Sequence, residues 1–126
     1  MGKTAEEWLK QADYDIETAD YMFSSGRYFY AVFMCHMALE KALKGLYVER
    51  LKETVPKKHN LVYFLNKIGI VPPEHIGRFL VRLNEASVVT RYPESLDKLA
   101  HQYTDVVVRE ILDSGKEALQ WIRQQF

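Results

Sequence analysis

Apolar residues recur at helical spacing through most of this chain, and its most apolar long segment runs from Tyr28 to Tyr47. Positions that advance by three and four residues lie along one face of an α-helix. Two such stripes run side by side here: Phe29, Val32, His36, Leu39, Leu43 and Leu46, and the small residues Ala31, Cys35, Ala38, Ala42 and Gly45. A helix that is apolar over so much of its circumference needs other helices on several sides. The pattern therefore predicts the central helix of a bundle.

The polar side chains of this segment form one stripe, His36, Glu40 and Lys44, at positions i, i+4 and i+8, with Lys41 beside it. We expect this stripe to face water. Glu40 and Lys44 have the favourable orientation for an i, i+4 ion pair. For His36 and Glu40, a hydrogen bond on one helical face is favoured over a shared metal ion.

Apolar spacing and cap residues predict four further helices. One runs from Ala5 to about Phe23 after a capping box at 4–7, and a short one follows Asn60 and ends at Gly69. Another begins at Pro72 and Pro73 and fades through 87–90, and the last follows Thr104. Residues 90–103 show little periodicity, which indicates a segment that is functional, flexible or partly helical. The pattern predicts one domain, residues 1–126, with an all-α, up-and-down bundle of about five helices, four long and one short.

Composition narrows the possible functions. Lys plus Arg and Asp plus Glu both total 17 in the 126 residues, so no bulk positive field gathers nucleic acid nonspecifically. The single cysteine, Cys35, excludes an intramolecular disulfide, and its place on the small-residue stripe predicts a buried, inert thiol in a reducing compartment. The N-terminus has no apolar signal core, and no apolar run reaches the about 18 residues of a spanning helix. We expect a soluble cytoplasmic protein without membrane contact.

The spacing of the four histidines does not favour a metal site. Di-iron bundles carry Glu-x-x-His on inward faces, and none of His36, His59, His75 and His101 has a glutamate three residues before it. Cys35 and His36 are adjacent and point about 100° apart on a helix, which argues against a nucleophilic dyad. The six glycines are scattered, so no phosphate-binding loop is present. We expect neither a metal nor a cofactor.

What remains is a group of cationic and aromatic side chains of the kinds that bind phosphate and stack on bases. They are Arg91, Tyr92, His101, Lys57, Lys58, His59, Lys41 and Lys44. The residues alone leave two interpretations open, a nucleotide-binding site and an ordinary solvated surface of mixed charge.

Four segments together resemble the HEPN family, small helical domains associated with prokaryotic toxin–antitoxin systems and with nucleotidyltransferases. They are WLKQADYDIETAD at 8–20, GRYFYAVFMCHMALEKALKGL at 26–46, HNL at 59–61 and RYP at 91–93. The resemblance covers nearly the whole chain. It implies a bundle of about five helices, often a homodimer, that binds nucleotide or RNA and frequently has a minimal nucleotidyltransferase as its partner.

The resemblance also suggests which residues line the site: His36, Glu40, Lys44, His59, Arg91 and Tyr92. Many HEPN ribonucleases carry an arginine followed, after four to six residues, by a histidine. Here nine residues separate Arg91 from His101, so the first hypothesis is a noncatalytic module. The alternatives are a metal-independent ribonuclease that uses Arg91 and His101, and a purely structural homodimer.

Overall fold

The computed structural model describes residues 2–126, and these form six α-helices without a strand. The helices are α1 (Ala5–Ser24), α2 (Tyr28–Leu51), α3 (Leu61–Ile68), α4 (Glu74–Arg91), α5 (Leu96–Gln102) and α6 (Asp105–Gln124). The predicted all-α class is confirmed. The number of helices is six rather than about five, because α5 forms inside the weakly periodic segment 90–103.

Helix α2 is the centre of the bundle, as predicted. It contacts every other helix, and it packs most extensively on α1, to which a short turn joins it as an antiparallel hairpin. The small residues of α2 are buried and let neighbouring helices approach closely. A Cβ atom added at Gly45 would lie 3.0 Å from the Cβ of Trp8, and one added at Gly115 of α6 would overlap the Sγ of Cys35. Burial raises the pKa of Cys35 to about 12, as expected for an inert thiol.

Cap residues fix three of the helix starts where the sequence predicts them. The Thr4 hydroxyl accepts a hydrogen bond from the Glu7 amide at 3.1 Å, and the Thr104 hydroxyl accepts one from the Val107 amide at 3.3 Å. The Asn60 side chain caps α3, whose C-terminal Gly69 has a φ of 83°.

Helix α4 continues to Arg91 instead of fading through residues 87–90. The hydroxyls of Ser87 and Thr90 donate to carbonyl oxygens of the preceding turn, Asn84 at 2.8 Å and Ala86 at 2.9 Å. Both side chains are buried, and at the β-branched Thr90 this packing outweighs the low helix propensity. Helix α5 follows a cap at Ser95, whose hydroxyl accepts from the Lys98 amide at 3.3 Å.

None of the helices within residues 2–126 combines the length and the apolar character that crossing a membrane requires.

Candidate functional site

A groove of about 690 Å³ lies where the segment before α3 meets the C-terminal half of α4. Its walls are His59, Asn60, Val62, Val81, Asn84, Glu85, Ser87, Val88, Arg91 and Tyr92. Three of the six expected site residues, His59, Arg91 and Tyr92, therefore share one surface although 33 positions separate the last from the first in sequence. The fold brings the HNL and RYP segments together.

The other three expected site residues, His36, Glu40 and Lys44, are buried beneath this region. The prediction that they face water is wrong: His36 is only 1% exposed. The segment before α3 covers Glu40 through His59. The rings of Trp8 and Phe64 lie within 6 Å of the Lys44 ammonium group, at 5.7 and 5.8 Å.

Glu40 is held by two nitrogen donors. The Lys44 Nζ lies 2.9 Å from Glu40 Oε2, which confirms the i, i+4 pair, although it forms in the interior. The Nδ1 of His59 lies 3.0 Å from the same oxygen. The expected bond from His36 is not made, because its Nδ1 stays 3.8 Å from Glu40 Oε1. Two donors offset the cost of burying this carboxylate.

His59 connects the buried Glu40 to the groove. A carboxylate accepts hydrogen bonds, so the Nδ1 of His59 donates, and this bond fixes the orientation of the ring. The side chain is 59% exposed, and its Nε2 makes no hydrogen bond to any described residue. That nitrogen is free to accept a proton from a ligand or to donate one to it.

Asn84 lines the groove but is not among the residues predicted from the sequence. Its Oδ1 accepts from the Leu61 amide at 2.9 Å and lies 3.2 Å from His36 Nε2, while its Nδ2 donates to Asn60 Oδ1 at 2.8 Å. One side chain thus joins α2, the start of α3 and α4. The sequence does contain a sign of its role: Asn84 lies four positions after the buried Leu80, so it is a polar residue on the apolar side of α4.

His36 is a buried neutral histidine in this network. Because Asn84 Oδ1 can only accept, the Nε2 of His36 donates to it. The Nδ1 has no hydrogen-bond partner within residues 2–126. Burial lowers the pKa of His36, against the opposing effects of the Asn84 hydrogen bond and of Glu40. Its side chain is not part of the groove wall.

Arg91 is the last residue of α4 and belongs to the groove wall. Its guanidinium carbon lies 5.0 Å from the ring centre of Phe33, and its buried Nε has no hydrogen-bond partner in the described part of the chain. The neighbouring Tyr92 is 78% exposed. A cation supported by an aromatic ring, but not neutralised by a carboxylate, is suited to an anionic ligand.

His101 lies elsewhere, on the exposed side of α5. It is not one of the groove residues, and no hydrogen bond joins it to Arg91 in the structure of residues 2–126. A shared catalytic role for these two residues stays a prediction. Over the same residues, no three histidine, cysteine or acidic side chains cluster closely enough to hold a metal ion.

Comparison with known proteins gives the chain its family. The family model described as HEPN domain matches residues 5–125. ST0689, an archaeal HEPN homologue with a known crystal structure, has 30% sequence identity to this chain. The alignment covers 98% of each chain, and the TM-score is 0.80. TT1696 from Thermus thermophilus, also known from a crystal structure, has 27% sequence identity to this chain. The alignment covers 97% of this chain and 98% of TT1696, and the TM-score is again 0.80. No curated protein matches the sequence. Because the match spans nearly the whole chain, the protein belongs to the HEPN family.

Proposed function

We propose that this chain is a HEPN module that binds a nucleotide or an RNA end in the groove between the start of α3 and the end of α4. The observation that carries the proposal is Arg91, a cation without a carboxylate partner among residues 2–126, in the same groove as His59 and the exposed Tyr92. Arg91 and His59 suit phosphate oxygens. Tyr92 offers a ring on which a base stacks.

The size and the remaining walls of the groove agree with this ligand. About 690 Å³ falls within the range of roughly 300–1,000 Å³ typical of small-molecule sites. Val62, Val81 and Val88 provide apolar surface. Glu85 accepts hydrogen bonds and repels phosphate, so it suits ribose hydroxyls or the amino group of a base.

His36, Glu40 and Lys44 have a supporting role in this proposal. All three are buried and none belongs to the groove wall. Glu40 orients His59 through its hydrogen bond at 3.0 Å, and Lys44 pairs with the same carboxylate oxygen at 2.9 Å. His36 acts through Asn84, which links it to the groove.

The test is a calorimetric and thermal-shift titration with ATP, other nucleotides and short RNAs in EDTA. A ligand at about 100 times its Kd should add roughly 2.7 kcal/mol to the free energy of unfolding. We expect Arg91→Ala to weaken binding about tenfold or more, because a charge-assisted hydrogen bond is lost. Arg78→Ala is the matched control, since Arg78 lies on the same helix and pairs with Glu74 outside the groove. Equal affinity in wild type and Arg91→Ala would overturn the proposal.

A second candidate function, metal-independent RNA cleavage, is favoured by the hydrogen bond between Glu40 and His59. A carboxylate that orients one ring nitrogen leaves the other as a general base. In such a reaction His59 Nε2 takes the proton of a ribose 2′-hydroxyl and the 2′-oxygen attacks phosphorus to form a 2′,3′-cyclic phosphate. The bond from phosphorus to the 5′-oxygen breaks, and this oxygen takes a proton from water. Arg91 stabilises the charge on the phosphate.

Gel analysis of labelled RNA in EDTA separates binding from cleavage. Cutting that is lost in His59→Ala and retained in His101→Ala assigns the base to His59. The opposite result assigns it to His101, as the alternative pair of Arg91 and His101 requires. Intact RNA with measurable binding identifies a noncatalytic module.

The homodimer, the nucleotidyltransferase partner and a role in a toxin–antitoxin system stay predictions from the family resemblance. Light scattering of the purified chain determines its oligomeric state. Co-purification with a minimal nucleotidyltransferase from the same organism tests the partner, and growth after induction of each protein separately distinguishes toxin from antitoxin. A monomer that also fails to bind nucleotide would leave neither the binding module nor the structural homodimer standing.

A further inference from the structure

A second cavity, of about 280 Å³, lies between α4 and α6 and shares no wall residue with the groove. Its apolar lining is Phe79, Leu83, Ala86, Tyr103, Val107 and Ile111. Phe79 and Leu83 are almost fully buried, so they form its floor. The residue after α5, Tyr103, closes one side.

Tyr103 brings a hydroxyl group to the apolar part of the lining of this cavity. It is only 7% exposed, yet its hydroxyl makes no hydrogen bond to any residue in 2–126. That hydroxyl is not among the fully enclosed polar atoms without partners, so the small exposed part of the residue includes its oxygen. Burial raises the pKa of Tyr103, and the group remains a neutral donor at physiological pH. A hydroxyl that lines a cavity and bonds to no protein group is available to a polar atom of a ligand.

Two opposite charges line the same cavity. Arg82 projects from α4 and Glu110 from α6, and both belong to the cavity wall. Neither forms an ion pair within the described chain, whereas exposed neighbours on the same two helices do: Arg78 pairs with Glu74, and Glu117 with His75. An arginine and a glutamate that face one cavity without neutralising each other can bind a ligand that carries both charges.

We propose that this cavity binds a free α-amino acid with an apolar or aromatic side chain. The carboxylate of the ligand pairs with Arg82 and its ammonium group with Glu110. The side chain enters the apolar lining above Phe79 and Leu83. The hydroxyls of Tyr103 and Ser114 supply hydrogen bonds at the edge.

The size and charge of the cavity select this class of ligand. A volume of about 280 Å³ lies just below the usual range for ligand sites, about 300–1,000 Å³, and suits a molecule smaller than a nucleotide. A purely apolar guest would make no use of the charges of Arg82 and Glu110 or of the Tyr103 hydroxyl, all of which line the cavity. A simple anion would meet the repulsion of Glu110.

Calorimetry and saturation-transfer NMR with the full chain test the proposal, with L-phenylalanine and L-leucine as probes. Two analogues that each lack one charged group, 2-phenylethylamine and 3-phenylpropanoate, should bind about tenfold more weakly or worse than L-phenylalanine. Arg82→Gln and Glu110→Gln should each weaken amino-acid binding by a similar factor. Arg78→Gln and Glu117→Gln are the matched controls on α4 and α6 and should leave the affinity unchanged.

A cavity-filling variant provides an independent readout. Ala86→Phe should abolish L-phenylalanine binding while the circular dichroism spectrum stays helical. The proposal is overturned by the absence of saturable binding of either amino acid at millimolar concentration. Equal binding of the zwitterion and its singly charged analogues would overturn it too, as would Kd values unchanged in both Arg82→Gln and Glu110→Gln. Nucleotide titrations in the same variants keep this site separate from the groove, since neither residue lines it.

Discussion

The two buried faces of α2 contact the rest of the bundle through different interactions, close packing on one face and hydrogen bonds on the other. Its small-residue face, Ala31, Cys35, Ala38, Ala42 and Gly45, packs against α1 and α6 by shape alone. Its polar face, His36, Glu40 and Lys44, is also buried, but directed hydrogen bonds connect it to the segment before α3 and to α4. The first face lets helices approach closely. The second fixes the angular positions of His59 and Asn84, which are groove residues.

This difference matters because a groove needs more than a core. Close-packed apolar side chains set the distance between helices, but they tolerate small sliding and rotation. A hydrogen bond weakens steeply with distance and angle. The polar face therefore orients the groove, and variants on the two faces should separate loss of stability from loss of binding.

Glu40→Ala should give the largest loss of stability. It leaves the Lys44 ammonium group buried without its carboxylate, and breaking a buried pair from one side costs about 3–5 kcal/mol. Urea unfolding followed by circular dichroism measures this change in the free energy of unfolding. Glu49→Ala, at a more exposed position on the same helix, is the control and should change stability by less than about 0.5 kcal/mol.

The double variant Glu40→Leu, Lys44→Met sharpens the same comparison. Apolar residues in place of both charges should recover much of the lost stability. Nucleotide binding should not recover, since His59 has lost the group that orients it. Recovery of both properties together would show that the polar face serves only packing.

Asn84→Ala should have the next largest effect, a loss of about 2–3 kcal/mol. It removes the acceptor of the Leu61 amide and of His36 Nε2 together, and each unsatisfied buried donor costs about 1–3 kcal/mol. Glu85→Ala, one residue later and exposed, is the control for stability. An Asn84→Ala protein as stable as the Glu85→Ala protein would mean that the asparagine network contributes nothing to folding.

Gly115→Ala on α6 disturbs the packing against the small-residue face of α2 and should lower the free energy of unfolding by about 1–2 kcal/mol. Overpacking against the Cys35 sulfur costs about 1–3 kcal/mol, and the better helix propensity of alanine returns up to about 1 kcal/mol. Cys35→Ala in the same protein makes room for the new methyl group. A double-mutant cycle should therefore show favourable coupling between the two changes, and strict additivity would contradict direct contact between them.

Much of this architecture could be predicted from the sequence, since helical periodicity and cap residues are local signals. Asn60 and Gly69 gave both ends of α3, and the spacing in α2 identified the central helix. Helix α5 gave a weaker signal, because only Leu99 of its seven residues is buried and one buried residue shows no periodicity.

The site was harder to predict because burial depends on distant segments. A stripe of His36, Glu40 and Lys44 looks the same in sequence whether water or another chain segment covers it. Here α3 and the residues before it cover the stripe, and the His59 bond to Glu40 joins positions 19 residues apart. Asn84 was missed for the same reason, since its partners are 23 and 48 positions away.

The smallest expected effect concerns pH and again lies on the polar face. Burial lowers the pKa of His36 below its ordinary 6.5. Somewhat below pH 6.5, His36 is therefore protonated in the unfolded chain but neutral in the folded protein. The stability that comes from keeping His36 neutral is complete above pH 6.5 and falls as the pH drops below it, by at most about 1.4 kcal/mol per pH unit for one proton. His36→Gln keeps a donor for Asn84 but does not titrate, so urea unfolding between pH 7.5 and 5 should show a shallower decline than in wild type. The other three histidines are common to both proteins, and parallel pH profiles would mean that His36 takes up its proton as readily in the folded protein as in the unfolded chain.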